Sequence, residues 1–306
     1  MNVLITGGAG YVGTKLVKQL LTKPMIKKIF VYDNLSKGHH NFFLGTPLRG
    51  NAEIVFVKGD ILDSRHLRKV VKQVDVIVHL AAVVAPAFDN IDSQFYEQVN
   101  HWGTAEVVYA AEESTIDKFI YLSSVTVYEA YNEVVNESTA PAPSTFYGFS
   151  KLRGEEHVSR LAEKKTAITL RGGNVYGYSK SMRFDTVINR FMFDANFSNR
   201  IQIFGTGKQA RAFIHVDHLV ATLGNIITQE VKSGTYNLVD KNLQILDLLD
   251  VLKEIYPNLE FLFSNQHLNL KELKVSPESE LFSQIERFQE TILKDELTEF
   301  KDKFAF

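Results

Sequence analysis

A run of glycines near the N-terminus, directly after a short apolar segment, constrains the fold more than any other feature. Residues 3–5 have the continuous apolar character of a strand buried on both faces, and Gly7, Gly10 and Gly13 follow at intervals of three. Apolar residues then recur every three or four positions to about Thr22, which predicts a helix. This strand–turn–helix pattern predicts a loop whose bare backbone and helix N-terminus bind a phosphate.

A second strand and the acid that follows it indicate a dinucleotide. Residues 29–32 are apolar, and Asp33 comes about 20 residues after Gly13, where dinucleotide-binding sequences place a ribose-binding carboxylate. Such a carboxylate repels a 2′-phosphate, so it predicts NAD rather than NADP. Asp33 could equally begin a turn, and both roles can hold at once. A nucleoside-triphosphate loop is rejected because Thr14, not lysine, follows Gly13.

Composition limits the partners that a chain of 306 residues can have. The formal net charge of -2 provides no basic field for a nucleic acid or an anionic membrane. The chain has no cysteine, which excludes a disulfide framework and thiolate metal ligands. The N-terminus enters a strand without a charged leader, and no apolar run approaches the length of a membrane span. We therefore expect a cytoplasmic protein without nucleic-acid or membrane partners.

Further apolar segments alternate with helical patterns, as in an open parallel sheet. Strands are predicted at residues 54–57, 74–80, 119–122 and 236–238, and helices from near Ser64, over residues 92–113, from near Phe146, at Ile245–Ile255 and at 278–295. The fold class is α/β, a doubly wound parallel sheet (Rossmann-like) with a smaller, partly discontinuous α/β substrate lobe. We expect an NAD-binding domain at residues 1–170 and a substrate lobe at 171–306, with part of 213–240 returning to the first domain.

Polar and small residues at two strand ends are candidates for the cofactor site. Asp60, after the third strand, could accept a hydrogen bond from an adenine amino group or cap the helix near Ser64. Ala81 and Ala82 follow the fourth strand, where small residues let a ligand lie against the backbone or simply allow tight packing. Asn100, in the predicted helix 92–113, is a polar insertion whose simplest explanation is a helix-surface position.

Tyr147 and Lys151 carry the predicted chemistry. They lie four residues apart, so a helix places the phenol and the ammonium on one face. A neighbouring ammonium and an oxidised nicotinamide favour the phenolate and bring the pKa of the phenol toward neutral pH. Ser124, at the end of the fifth strand, would bind the same substrate oxygen. The simpler alternative is an exposed helical pair.

Taken together, eight segments resemble the extended short-chain dehydrogenase/reductases, specifically the NAD-dependent epimerases and dehydratases that act on nucleotide sugars. The segments are residues 6–13 (TGGAGYVG), 33–36 (DNLS), 59–61 (GDI), 79–82 (HLAA), 123–128 (SSVTVY), 147–151 (YGFSK), 170–177 (LRGGNVYG) and 211–217 (RAFIHVD). They occur in the family's order.

The resemblance implies a role for each residue of the site. The catalytic residues would be Ser124, Tyr147 as the base, and Lys151, which holds the nicotinamide ribose. The cofactor NAD would contact Gly7, Gly10, Tyr11, Val12, Gly13, Asp33, Asn34, Asp60, Ile61, Leu80, Ala81, Ala82, Asn100, Tyr147 and Lys151. The substrate, a nucleotide-diphosphate sugar, would contact Ser124, Thr126, Tyr147, Asn174 and Arg211. His215 and Asp217 look like a ligand pair but are structural in this family, and no metal is predicted.

Departures from the family pattern narrow the range of reactions that the chain could catalyse. Family dehydratases usually carry Asp-Glu after the hydroxyl residue, where this chain has Val125 and Thr126, which disfavours a 4,6-dehydratase. Glu129 replaces a usual glycine and Ala212 a usual aspartate, and Glu129 could touch a sugar or face solvent.

Three functions remain compatible with the sequence. We predict a nucleotide-sugar epimerase acting at carbon 4 through a transient keto-sugar, with a nucleotide-sugar 4-ketoreductase using NAD(P)H as the alternative. A catalytically idle NAD-binding scaffold is a third possibility, which the intact Ser124, Tyr147 and Lys151 oppose. Helices near residues 92–113 and 146–164 resemble those of a four-helix dimer contact, so a homodimer is expected.

Overall fold

The computed structural model describes residues 1–38, 40–84, 92–129, 131–266 and 270–305. The strands, in chain order, are β1 (Asn2–Thr6), β2 (Lys28–Asp33), β3 (Glu53–Lys58), β4 (Val76–His79), β5 (Lys118–Ser124), β6 (Val134–Val135), β7 (Thr166–Gly172), β8 (Asn174–Tyr176), β9 (Arg200–Phe204), β10 (Ala210–His215), β11 (Gly234–Leu238), β12 (Lys241–Gln244), β13 (Glu260–Ser264) and β14 (Lys274–Val275). The helices are α1 (Tyr11–Leu20), α2 (Ser64–Val71), α3 (Ser93–Tyr96), α4 (Gly103–Glu112), α5 (Phe146–Leu161), α6 (Val187–Ser198), α7 (Val216–Thr228), α8 (Ile245–Ile255) and α9 (Leu293–Lys301).

Seven strands form a central sheet in the order β11-β7-β5-β4-β1-β2-β3. Every neighbouring pair in it is parallel. The chain moves outward from β1 to β3 and then returns to β4 on the other side of β1, so the strand order reverses between β1 and β4. Open α/β sheets bind their ligands at such a reversal, outside the carboxyl ends of the strands. The carboxyl ends of β1 and β4 are therefore where a ligand is expected.

Apolar side chains on both faces of the sheet hold the helices in place. On one face, α1 and α7 pack against β1, β2 and β11 in a cluster that includes Leu16, Val31 and Leu223. On the other, α2, α4 and α5 pack against β4 and β5 through residues such as Leu67 and Val108. Because both faces are covered, the central strands are continuous apolar runs, which is why the sequence revealed them.

The predicted helix 92–113 is present but not regular. It consists of α3, a π-helical segment at Glu97–Trp102 and α4, with the Asp92 carboxylate accepting from the backbone nitrogen of Gln94 at its start. A π-helical turn inserts one residue into the α-helical repeat and is often found at functional sites. Here it contains the buried Asn100.

The smaller lobe is built from short sheets and from α6, α8 and α9. Strand β10 lies between β12 and β8, and β9 pairs with β13 in parallel. Their apolar faces form a separate cluster that includes Met192, Phe213 and Leu248. Within this half of the chain, β11 joins the central sheet beside β7 and α7 packs on α1. The division at residue 170 stays a prediction.

One predicted helix is wrong. Residues 278–295 contain a short 3-10 helix at Glu280–Ser283, and the last helix is α9. Leu281 and Ile285 have helical spacing, but they are buried against the central core in a segment that is not a continuous helix, and Phe288 stacks on His218 at 4.3 Å. Packing against the sheet overrode the local periodicity. Among the described residues, no helix is long and apolar enough to cross a bilayer.

Candidate active site

The loop after β1 is packed so closely that side chains are excluded from it. Gly7 has a φ of 68°. A Cβ on Gly7 would lie 2.8 Å from the backbone nitrogen of Ala81, and one on Gly13 would lie 2.6 Å from the carbonyl oxygen of Gly7. Helix α1 begins directly after Gly10 and has no acidic residue in its first turn. The loop therefore fits an anionic pyrophosphate at the positive end of the helix.

The Asp33 carboxylate braces this loop. It accepts hydrogen bonds from the backbone nitrogens of Ala9 at 3.0 Å and Leu35 at 2.8 Å. Leu35 has a φ of 60°, so the turn that the sequence allowed is present as well. A carboxylate fixed against the glycine loop is positioned as a ribose-binding acid requires.

Asp60 does not cap the following helix. The N-cap of α2 is Asp63, because α2 begins at Ser64, so the capping alternative for Asp60 is wrong. Asp60 instead accepts from the side-chain amide of Asn34 at 2.9 Å and from the backbone nitrogen of Leu62 at 2.9 Å. These bonds link the ends of β2 and β3, where the adenosine half of the cofactor is predicted.

Asn100 connects the end of β4 to helix α5. Its side-chain oxygen accepts from the backbone nitrogen of Val83 at 2.8 Å, and its amide donates to the carbonyl of Val83 at 2.9 Å and to the Ser150 hydroxyl at 3.1 Å. It is buried, so the helix-surface alternative is wrong. The residue fixes the segment that follows Ala81 and Ala82. Direct cofactor contact by Asn100 stays a prediction.

The structure brings the three predicted catalytic residues together at the carboxyl end of β5. The Ser124 hydroxyl lies close enough to the Tyr147 phenol to lower its pKa. Lys151 follows one turn later on α5, is 2% exposed, and donates from Nζ to the carbonyl of Leu122 at 2.7 Å. Its Nζ also lies 4.3 Å from the centre of the Tyr121 ring. The alternative of an exposed helical pair is therefore wrong.

The charges around the phenol differ from those expected. Burial, the largest effect, raises the pKa of Tyr147, while Arg183 and the Ser124 hydroxyl lower it. We expected Lys151 to be the cation that lowers it, but the ammonium of Lys151 is directed at Leu122 and Tyr121. Burial in turn lowers the pKa of Lys151 to about 7, against the opposing effect of Glu155.

Arg183 was not predicted from the sequence. It lies in the segment between β8 and α6, where no pattern distinguishes it from a surface cation. Its carbonyl accepts from the Asn189 amide at 2.9 Å, and that amide also donates to the hydroxyl of Tyr11 at 3.2 Å. Its charge lowers the pKa values of both Tyr11 and Tyr147. The Arg183 guanidinium, which is also ion-paired with Asp185 at 2.5 Å, therefore lies near enough to both tyrosines to influence their pKa values.

Two of the predicted substrate residues, Asn174 and Arg211, lie on paired strands of the smaller lobe. The Asn174 amide donates to the carbonyl of Ala212 at 3.0 Å, which joins β8 to β10. Burial lowers the pKa of Arg211, and the carboxylate of Glu129 opposes that effect. Glu129 in turn accepts from the Thr145 hydroxyl at 2.8 Å. Glu129 thus lies between the N-cap of α5 and Arg211 and does not merely face solvent.

A comparison with protein families identifies the chain. Residues 3–238 match the model of the NAD dependent epimerase/dehydratase family. The chain belongs to this family. The match confirms the family that the motifs indicated, and with it NAD as the cofactor.

Similar proteins carry the names of more than one reaction. A putative UDP-glucose 4-epimerase of Methanocaldococcus jannaschii is 29% identical over 260 residues, covering 82% of this chain and 81% of that protein. A dTDP-D-glucose 4,6-dehydratase of Dictyostelium discoideum is 29% identical over 276 residues, covering 83% of this chain and 61% of the dehydratase. Since both show the same identity, sequence similarity does not choose between epimerase and dehydratase.

Solved structures confirm the Rossmann-like fold class. The UDP-glucuronic acid 4-epimerase of Bacillus cereus, in complex with UDP-glucuronic acid and NAD, has a TM-score of 0.85 and 25% identity, with 99% of this chain and 98% of that chain covered. A UDP-N-acetylglucosamine 4-epimerase of Methanobrevibacter ruminantium has a TM-score of 0.85 and 24% identity, with 98% and 97% covered.

Two residues of this family member occupy the positions where family dehydratases carry Asp-Glu. Val125 is 1% exposed and packs in an apolar cluster with Val127 and Val239. Thr126 donates its backbone nitrogen to the Ser124 hydroxyl at 3.3 Å, and its own hydroxyl is buried without a hydrogen-bond partner among the described residues. Neither side chain can exchange a proton at neutral pH as a carboxyl group would.

A cluster of potential metal donors lies away from these residues. Donor atoms of His215, His218 and Glu296 fall within 4.8 Å of one another. Glu296 accepts from the Lys241 ammonium at 3.0 Å, and His218 is bonded to Asp240 at 2.9 Å. Because Lys241 and His218 already bond the carboxylates of Glu296 and Asp240, we assign the cluster a structural role in attaching α9.

Proposed function

We propose that this protein is an NAD-dependent nucleotide-sugar epimerase that acts at carbon 4 of the sugar. The observation that carries the proposal is the grouping of Ser124, Tyr147 and the buried Lys151, whose Nζ donates to the carbonyl of Leu122, at the carboxyl end of β5. The glycine loop after β1 lies at the same carboxyl edge of the central sheet, because β1, β4 and β5 are parallel neighbours. A phenol, a hydroxyl and an ammonium in this arrangement suit removal of a proton from a sugar hydroxyl.

The residues of the glycine loop and the Asp33 carboxylate beside it fit the predicted cofactor. Gly7 and Gly13 leave no room for a side chain, and Asp33 is fixed against the same loop. When bound there, NAD supplies the hydride acceptor and donor of the reaction. Lys151 would hold the nicotinamide ribose, and Arg211 with Asn174 would hold the diphosphate of the substrate, since a guanidinium pairs with two phosphate oxygens.

The chain's own residues would move one proton and return it. Ser124 would hold the oxygen at carbon 4, and Tyr147, as the phenolate that the positive charge of an oxidised nicotinamide favours, would take its proton. Carbon 4 would lose its hydrogen as hydride to the bound cofactor, leaving a 4-keto sugar. After the keto sugar turns over in the pocket, Tyr147 would return the proton to the oxygen while carbon 4 regains hydride on its other face. The net change in oxidation state is zero, so one bound cofactor serves repeated turnovers. Elimination of water is disfavoured because Val125 and Thr126 replace the acidic pair.

Mass spectrometry of a nucleotide-sugar panel tests this proposal. The protein is incubated with NAD and UDP-glucose, UDP-glucuronic acid or UDP-N-acetylglucosamine, and the products are separated to resolve 4-epimers. We expect an equilibrium mixture of 4-epimers of unchanged mass, without stoichiometric NADH. A product lighter by one water would establish a dehydratase. Stoichiometric NADH or NADPH consumption with a 4-keto substrate, without epimer formation, would establish the ketoreductase alternative.

A further inference from the structure

Side chains of helix α5 contact three successive residues at the end of β5, residues 122–124. Tyr147, Lys151 and Glu155 are spaced by four, so they lie on one face of the helix. Tyr147 lies beside Ser124, and Lys151 donates to the carbonyl of Leu122. Glu155 accepts from the hydroxyl of the residue between them, Ser123, at 2.5 Å. The contact between Glu155 and Ser123 therefore lies on the same face of α5 as the two predicted catalytic side chains.

Glu155 is one half of a buried ion pair. Its carboxylate accepts hydrogen bonds from two side-chain nitrogens of Arg171, the shorter of which is 2.6 Å long. The side chains of Glu155 and Arg171 are 7% and 8% exposed. Arg171 lies on β7, the neighbour of β5, and also donates to the hydroxyl of Tyr128 at 2.5 Å. The pair therefore joins α5, β5, β7 and the turn that follows Ser124.

Glu155 follows Lys151 by one turn of α5, and its carboxylate opposes the effect of burial on the pKa of that lysine. The other titratable groups packed around the ammonium are His79 of β4, Tyr121 of β5 and Tyr147 of α5. Burial lowers the pKa of His79 to about 3, and it raises the pKa values of Tyr121 and Tyr147, so none of the three supplies a charge that opposes the effect of burial on Lys151. Of the charges in the described residues, the Glu155 carboxylate is the one that opposes the effect of burial on Lys151.

We propose that Glu155 is a positioning residue for the reaction, which keeps Lys151 charged and holds the serine end of β5 against helix α5. The inference rests on the proposed function, because it assigns Lys151 a place beside the nicotinamide ribose and Tyr147. It adds a role for the Glu155–Arg171 pair, whose simplest alternative is a stabilising ion pair with no influence on the chemistry.

Replacing Glu155 by glutamine tests the role of its charge. Without the carboxylate, burial acts on Lys151 unopposed and its pKa falls, so the ammonium is lost at a lower pH. We expect the alkaline limb of the kcat profile to move down by about one pH unit or more, the shift typical of losing a close opposite charge. At pH 8 kcat should fall about tenfold, with KM changed less than about threefold, because one pH unit corresponds to a tenfold change in charged fraction.

Glu156→Gln is the matched control. Glu156 is the next residue of α5 and is exposed, so the same substitution removes the same charge from the solvent side of the same helix. It should leave the alkaline limb within about 0.2 pH units of the wild type, since solvent screens exposed charges. A second variant, Glu155→Asp, keeps the charge and should keep the wild-type alkaline limb even if kcat falls.

Binding of NAD provides a readout that does not need turnover. Calorimetric titration with NAD⁺ from pH 5.5 to 9 should show the affinity of Glu155→Gln falling at a lower pH than that of the wild type and of Glu156→Gln. If wild-type protein binds NAD⁺ but turns over no nucleotide sugar, the proposed function fails while this test still decides the role of Glu155.

A structural role alone predicts a different result. It lowers thermal stability and reduces kcat equally at every pH, with the alkaline limb and the pH dependence of binding unchanged, and that outcome would overturn the proposal. Should Glu155→Gln not fold, the double variant Glu155→Gln/Arg171→Gln leaves an uncharged pair. It should move the limb in the same direction, because Glu155 and not Arg171 is the group that acts on Lys151. An unmoved limb in the double variant also overturns the proposal.

Discussion

The ammonium of Lys151 donates to the carbonyl oxygen of Leu122 at 2.7 Å, two residues before Ser124 on the same strand. This bond fixes the distance between the catalytic turn of α5 and the end of β5, because it ties a helix side chain to a strand backbone. It also gives a nearly fully buried cation a polar partner, which such a charge requires. The ammonium is therefore placed by the fold before any ligand binds.

Replacing Tyr147 by phenylalanine should abolish most of the proposed activity. The ring would still pack near Tyr96, whose centre lies 5.9 Å away, but the group that holds the proton would be gone. We expect kcat to fall by about 10²–10⁴-fold, the usual contribution of a general acid–base residue. Affinity for NAD should change little. Both are measured with the epimerase assay and calorimetry.

Tyr109→Phe controls for the loss of a hydroxyl. Tyr109 lies on α4, where its ring contacts the guanidinium of Arg160. This variant should retain wild-type kcat. Wild-type turnover by Tyr147→Phe would show that the phenol is not the base.

The glycine loop should not tolerate a methyl group at position 13. A Cβ on Gly13 would lie 2.6 Å from the Gly7 oxygen and from the Gly8 Cα, so the loop must shift. Overpacking of this kind costs about 1–3 kcal/mol, so we expect Gly13→Ala to weaken NAD binding by about tenfold or more. Gly224→Ala in α7 is the control, because there the new methyl group meets only the flexible side chain of Gln19 at 3.2 Å. Equal NAD affinities of the two variants, measured by calorimetry, would contradict the prediction that NAD binds at the glycine loop.

Removing the charge of Asp33 should relax the choice between NAD and NADP. Asparagine keeps an oxygen for the backbone nitrogen of Ala9 but no longer repels a 2′-phosphate. We expect Asp33→Asn to weaken NAD binding by about tenfold, since a hydrogen bond to a charged group contributes about 1.5–3 kcal/mol, while NADP binding improves. The ratio of the two dissociation constants is the measurement, and Asp63→Asn on α2 is the control. An unchanged ratio would show that Asp33 does not bind the adenosine ribose.

The sequence predicted best where one local pattern determines both structure and chemistry. The glycine loop, Asp33 and the Tyr147–Lys151 pair were found because their spacing follows from a strand, a turn and a helix. The same i, i+4 rule extends from Lys151 to Glu155, so that partner could have been found by its spacing alone. Arg171 could not, because its contact with Glu155 depends on β7 lying beside β5.

Residues brought in by tertiary packing were not predictable. Arg183 reaches the vicinity of Tyr147 because Asn189 of the smaller lobe holds its carbonyl. The helix expected at residues 278–295 is absent because its apolar residues pack on the central core in another conformation. The pKa of Tyr147 was expected to be lowered by a nearby ammonium, whereas burial, which no single sequence displays, is the larger effect.

Exposed aromatic residues on two neighbouring helices support the prediction of a homodimer. Trp102 and Phe95 are 52% and 45% exposed beside α5, whose Phe146 is 66% exposed. Trp102→Glu should shift the protein from dimer to monomer in light scattering at micromolar concentration, because a buried carboxylate at an apolar interface is costly. Leu262→Glu changes another exposed apolar residue, on β13, and should leave the dimer intact.

A wild-type monomer would refute the prediction. Trp102 is the single tryptophan, so its emission also reports dissociation.

Glu129 provides a prediction that is specific to this chain, because the family usually carries glycine there. Its carboxylate faces Arg211, the residue proposed to bind the diphosphate, and so opposes the approach of an anionic substrate. Glutamine removes the charge while keeping an oxygen for the Thr145 hydroxyl at the N-cap of α5.

We expect Glu129→Gln to lower KM for nucleotide sugars by about threefold to fivefold, since two charges near a protein surface interact by about 1 kcal/mol once solvent screening is included. The effect should shrink at 0.5 M salt. Glu133→Gln, an exposed carboxylate of the same loop, is the control and should leave KM unchanged. A higher KM for Glu129→Gln would mean that this carboxylate accepts a hydrogen bond from the sugar, and its position beside Tyr147 would then make it part of the substrate pocket.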